Sequence, residues 1–130
     1  MADAPLIAVV NNDTVFLEMM SELLADAGYR SYAHKDSHDA YQRLKKDPPD
    51  LLVLDIRLSD AEAGWSILEL LKLDPETQHM PVIVCSADAL QLREKAPHLR
   101  ELNCVTLEKP FDLDELLRLV ALGIGAPPPT

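Results

Sequence analysis

Positive charge is in short supply in this chain. Twelve Lys and Arg stand against 22 Asp and Glu in 130 residues, a formal charge of −10. The deficit is shared between the halves, 6 basic against 12 acidic residues in 1–65 and 6 against 10 in 66–130. No basic patch or tail therefore offers a footprint for direct nucleic-acid binding. Long apolar runs are missing too: none exceeds six residues, against the roughly 20 needed to cross a bilayer. The opening Met1-Ala2-Asp3-Ala4-Pro5 has neither the basic n-region nor the apolar core of a signal peptide. These absences predict a soluble, cytoplasmic protein with no membrane contact. Cysteine is limited to Cys85 and Cys104, with no CxxC and no Cys/His ligand spacing. Both lie in apolar runs and read as buried free thiols. The four histidines are scattered, so none is assigned a metal or catalytic role. No Gly-rich phosphate loop, metal-ligand cluster or nucleophile–His–acid arrangement is visible, which argues against a conventional enzyme, and the exit of the first strand lacks the Gly/Ser/Thr-rich loop of a flavodoxin-type cofactor binder.

What the chain does have is a 48% apolar composition, enough for one real core in one domain. Five short apolar runs alternate with helical patterns. Leu6–Val10 is too short and β-branched for a helix and reads as a buried strand. Phe16, Met20, Leu23, Leu24 and Ala27 then form an amphipathic helical face, closed by Gly28. Tyr29–Ala33 is a weaker strand, and Ser37 can cap a helix that Pro48 and Pro49 terminate. The third strand, Leu51–Leu54, ends on Asp55. A polar loop, Ser59–Gly64, leads to a helix bearing Ile67, Leu68 and Leu71. Val82–Cys85 ends at Ser86, and the helix that follows should be interrupted or kinked at Pro97. The last strand runs about Cys104–Leu107. Asp112, with Glu115 three positions on, suits a capping box for the final helix. Residues 123–130 read as a flexible Pro-rich tail after a domain of residues 1–122.

That order is (βα)5, an α/β fold. Buried strands flanked by helices imply a doubly wound parallel sheet, most simply in the flavodoxin-like order 2-1-3-4-5. Ligands of such sheets bind beyond the C-terminal ends of the strands. There the sequence places Asn11-Asn12-Asp13, Asp55, Ser86 and Glu108-Lys109-Pro110. A carboxylate, a hydroxyl and an ammonium in one crevice suit an anionic group bound at, or transferred onto, Asp55.

Four stretches in order, Ile7–Val10 with its polar cluster, Asp50–Asp55, Pro81–Ala87 and Glu108–Asp112, resemble the receiver domain of two-component response regulators. The resemblance covers residues 5–122. It implies that Asp55 accepts a phosphoryl group from a histidine kinase or phosphotransfer protein, with a carboxylate nucleophile forming an acyl phosphate. By the same resemblance Ser86 bonds the phosphoryl oxygen in the active state and Lys109 supplies a stabilising point charge. Pro110 follows at the family's usual cis peptide, and Arg57 matches the position whose backbone carbonyl binds Mg²⁺. A homodimer through the last two helices is a family expectation; no output domain is recognisable.

The pattern breaks where the family presents two adjacent acidic residues that hold Mg²⁺ directly and through water. Asn12 and Asn11 stand at those positions, and Asp13, one residue further, begins or caps the helix. One carboxylate then faces one lysine, so Mg²⁺ should bind weakly. Asp13, Asp60 or Glu62 are alternative sources of a metal ligand. Thr106 stands where receivers often carry a switching aromatic. The resulting alternative is a pseudo-receiver, an interaction module whose output does not depend on phosphorylation.

Overall fold

Strand and helix formation follows the period of the apolar residues. Five-residue apolar runs give strands, and the i, i+3, i+4 patterns between them give helices. The computed structural model describes residues 4–35, 39–56 and 61–125, without the side chains of 61–63. In chain order the elements are β1 Leu6–Val10, α1 Thr14–Asp26, β2 Arg30–His34, α2 Ala40–Lys46 and β3 Leu51–Asp55. They continue with α3 Ala61–Leu73, β4 Val82–Ser86, α4 Ala89–Glu101, β5 Cys104–Glu108 and α5 Leu113–Ile124. All strand pairs are parallel, in the order β2-β1-β3-β4-β5, as the sequence led one to expect.

Alternation along β3 shows why both sheet faces need helices. Leu52 and Leu54 point into a core closed by α2, α3 and α4, whereas Leu51 and Val53 point into one closed by α1 and α5. All four are essentially excluded from solvent, and truncating one such Leu to Ala typically costs roughly 2–5 kcal/mol. The pattern weakens at β2, an edge strand whose residues are only half-buried.

Helix ends follow local chemistry. After α1, Gly28 adopts φ +90. The Gly28 N–H donates to Ala25 O at 3.0 Å and the Tyr29 N–H to Leu24 O at 2.9 Å. This is a Schellman cap, which the sequence anticipated through Gly28. Four expectations need correcting. α3 begins at Ala61, so Gly64 is inside the helix rather than in a loop. α4 is continuous through Pro97, so the helix is not interrupted there; proline lacks an N–H to donate, and Leu92 and Leu99 hold the turns on either side to the core. At α5, Asp112 has N-cap backbone angles but no side-chain capping bond, and Glu115 pairs instead with Arg118 at 2.7 Å. Finally, α5 runs to Ile124, so Gly123 belongs to it rather than to the tail. Ser37 lies outside the described residues, and α2 follows Asp39 directly. Cys85 and Cys104 are buried and unbridged, as expected. Among the described residues, no helix is long and apolar enough to cross a membrane.

Candidate functional site

Parallel register gathers the strand ends. Asp55, the last residue of central β3, is the Cα partner of Cys85 on β4, which is the partner of Leu107 on β5. Lys109 leaves β5 two residues later. Its backbone N–H donates to Ser86 O at 2.9 Å, fixing its direction, and its Nζ donates to Asp55 Oδ2 at 2.9 Å. Asp55 is 5% exposed, while the Lys109 side chain keeps 32% of its surface. The cation thus reaches in from solvent to a carboxylate sunk at the sheet edge. The Lys109–Pro110 peptide is cis.

The β1 side is built from a short chain of caps. Asn11, 3% exposed, donates its N–H to His34 O and accepts the Asp13 N–H on Oδ1 at 2.8 Å. Asp13 then caps α1, its Oδ1 accepting from Val15 N–H at 3.0 Å and Phe16 N–H at 3.3 Å. The expectation that Asp13 begins the helix is met, and Asn11 proves to be a loop-forming residue as well. Asn12 is exposed and lines the cleft between them.

That cleft, about 670 Å³, brings together Asn11, Asn12, Asp13, Asp55 and Lys109. Ser86 is not on its wall: it is fully buried, and its Oγ accepts the Asp88 N–H at 3.0 Å. Thr106 is also elsewhere, in a surface groove with Ala96 and Arg100 between α4 and β5. Arg57 and Asp60 lie outside the described residues. Among the described residues, no group of three or more His, Cys, Asp or Glu could hold a metal ion.

Two features escaped the sequence reading. The first is the cleft's apolar rim of Phe16, Met19, Phe111 and Leu113, in which Phe16 and Phe111 meet edge to face at 6.4 Å. Phe16 reads in sequence as a core position, and only the path of the chain after β5 turns it into a wall. The second is Cys85, beside the ion pair. Burial pushes its thiol up to about 12, with Lys109 opposing and Asp55 reinforcing the shift. It is therefore a neutral neighbour of the ion pair at physiological pH.

Comparison with known proteins supplies the context. Residues 7–121 match the response regulator receiver domain. The polar-differentiation response regulator DivK of Brucella anthropi is 23% identical over 120 residues, covering 92% of this chain and 95% of that protein. Among solved structures, the receiver domain of the sensor histidine kinase PA1611 from Pseudomonas aeruginosa PAO1 superposes with a TM-score of 0.79 at 27% identity. The match covers 95% of this chain and 99% of that one, which has a magnesium ion coordinated in its active-site cleft. A response regulator receiver protein from Sinorhizobium medicae WSM419 gives 0.79 at 25% identity, covering 95% and 97%. Fold, strand-end chemistry and these matches agree, and the chain belongs to the response regulator receiver domain family of two-component signalling.

Proposed function

We propose that this receiver accepts a phosphoryl group on Asp55 from a histidine kinase or phosphotransfer protein and answers with altered partner binding. The observation that carries the reading is the sunken Asp55 carboxylate with Lys109 Nζ 2.9 Å from its Oδ2, at the floor of an open cleft. In the transfer an Asp55 oxygen bonds to phosphorus as the P–N bond of a phosphoimidazole breaks. The imidazole nitrogen leaves with the bonding pair and takes up a proton from solvent. Lys109 would move from the carboxylate to the incoming phosphoryl oxygens and offset their charge. Ser86 would rotate its hydroxyl from the Asp88 N–H toward the same oxygens. Asp88 caps α4 through Gln91 N–H at 3.1 Å, so that rotation would reach α4 without any need of Thr106.

The donor has to approach over the rim. On that rim Met19 and Leu113 are each 38% exposed, and Val15, one turn before Met19 on α1, is 75% exposed. Glu18, Glu22 and Asp26 follow on the exposed side of α1, which carries no basic residue. A partner with a basic and apolar face fits that rim. The receiver unit is proposed to end with α5, leaving the Pro-rich residues as a tail or linker.

A divalent cation fits the donor set poorly. Asn11 Oδ1 is committed to Asp13 N–H and Asp13 Oδ1 to the α1 cap. The remaining strong donor, Asp55, already faces an ammonium. Mg²⁺ would bring charge neutralisation to the phosphoryl oxygens, held by Asp55, Asn12 and the Arg57 carbonyl; weak binding is the expectation. The same committed side chains favour the second reading, a pseudo-receiver independent of phosphorylation.

Intact mass after acetyl phosphate, with and without Mg²⁺ and beside Asp55→Ala, separates the readings. A phosphoryl adduct that vanishes in the variant supports Asp55 as acceptor, and its persistence in EDTA would assign the electrostatics to Lys109. No adduct from either acetyl phosphate or a phosphohistidine donor would leave the pseudo-receiver.

A further inference from the structure

Gly64 occupies the fourth position of α3, where helix propensity favours Ala and a glycine weakens the helix. Its surroundings supply a reason. A Cβ placed on Gly64 would lie 2.3 Å from Ile56 O, 2.6 Å from Ile56 Cα and 2.7 Å from Ile56 C. All three are backbone atoms, so no rotamer change could relieve the contact. Ile56 is the residue directly after Asp55. It is fully buried, and its own N–H donates to Cys85 O at 3.0 Å. The backbone at Asp55–Ile56 is thus clamped from two sides, by the β4 ladder and by the bare Cα of an α3 residue.

We infer that Gly64 is a positioning residue for Asp55: by letting α3 close onto the Ile56 carbonyl, it fixes where the strand ends and hence where the carboxylate meets Lys109. Any side chain at 64 must force α3 and that carbonyl apart. The ladder holds β3 itself, so whatever α3 does not absorb falls on the Ile56 peptide, next to the Asp55 carboxylate. Shifts of about 1 Å at a reacting group can slow a reaction by roughly a hundredfold. Consequences for phosphorylation rest on the proposed role of Asp55; those for the backbone do not.

The test compares Gly64→Ala with Leu71→Val, a buried change on the same helix that removes volume from the core it shares with Ile56 and places no atom against the Ile56 backbone. Over an acetyl phosphate concentration series, Gly64→Ala should lower the limiting rate of adduct formation by about tenfold or more, with the half-saturating concentration unchanged. Leu71→Val should lower the melting temperature and leave the limiting rate alone. In parallel, amide hydrogen exchange at Ile56 relative to the other β3 amides should accelerate in Gly64→Ala, whereas in Leu71→Val all β3 amides should change together with global stability. If the wild type forms no adduct, the phosphoacceptor reading fails while the exchange arm still decides the role of Gly64. Should Gly64→Ala fold incompletely, trimethylamine N-oxide restores compaction without moving the Cβ, and both defects must persist in it. Wild-type rate and wild-type Ile56 exchange in folded Gly64→Ala would overturn the inference.

Discussion

Two Lys–Asp pairs in this molecule have nearly the same length and different surroundings. Lys109 meets Asp55 at 2.9 Å at the sheet edge, and Lys45 on α2 meets Asp74, just past α3, at 3.0 Å. Around Asp74 every contact consolidates the fold. The Tyr41 hydroxyl donates to Oδ2, the Glu76 N–H donates to Oδ1 at 2.9 Å, and Lys45 also reaches Glu76 at 3.2 Å. The Tyr41 hydrogen bond, then the Glu76 amide and Lys45, hold the Asp74 carboxyl down at about 2. Asp55 instead opens on a cleft large enough for a phosphoryl group and its donor. Distance alone therefore does not distinguish a pair at an open cleft from one enclosed by the fold's own contacts. What differs is whether the carboxylate faces space that a reactant can enter.

The strongest way to break this contrast is to remove each carboxylate. Asp55→Ala should abolish the acetyl phosphate adduct, whereas Asp74→Ala should leave its rate within about twofold of wild type, as read by intact mass. Loss of the adduct in Asp74→Ala would erase the distinction. Next, Lys109→Met should slow adduct formation on the order of a hundredfold, while Lys45→Met should not slow it. A smaller effect sharpens the account of the metal. Asn12→Asp should tighten Mg²⁺ by on the order of tenfold in a calorimetric titration, and Asn11→Asp by less, because position 11 is turned toward Asp13 N–H. Equal gains would refute that use of the loop geometry. The smallest effect is acid sensitivity. A carboxylate depressed in the folded state stabilises it fully above the ordinary carboxylate range, and that stability is lost as pH falls through about 2. Urea midpoints should therefore decline between pH 4 and 2 less steeply in Asp74→Asn than in wild type.

The sheet was legible in sequence because five-residue apolar runs ending on Asp55, Ser86 and Glu108-Lys109 leave little choice of secondary structure or of sheet edge. Helix ends were less so, because they depend on competition. Glu115 could have bonded back toward Asp112, but Arg118 stands one turn on and takes it. Gly64 and its acidic neighbours look like a loop until the close approach to Ile56 is seen. Pro97 looks like a break unless the core contacts of Leu92 and Leu99 are counted against it. Of the site, the Asp55–Lys109 meeting was expected from parallel topology. The inward turn of Asn11 and the burial of Ser86 depend on which backbone N–H groups lacked partners, a property of the assembled loops and not of residue type.

One consequence of the pairing between Asp55 and Lys109, 54 residues apart, concerns synthesis. A chain made from its N-terminus presents Asp55 on a central strand long before Lys109 exists. Among the described residues β5 is an edge strand, paired with β4 and with no strand on its other side. Until it docks, Asp55 would be a carboxylate without its ammonium, a disfavoured state for a charge at a closing core. A nascent or truncated chain lacking β5 would present the Asp55 carboxylate without the Lys109 charge. The Asp55–Lys109 pair would thus be complete only once β5 has been made and docked.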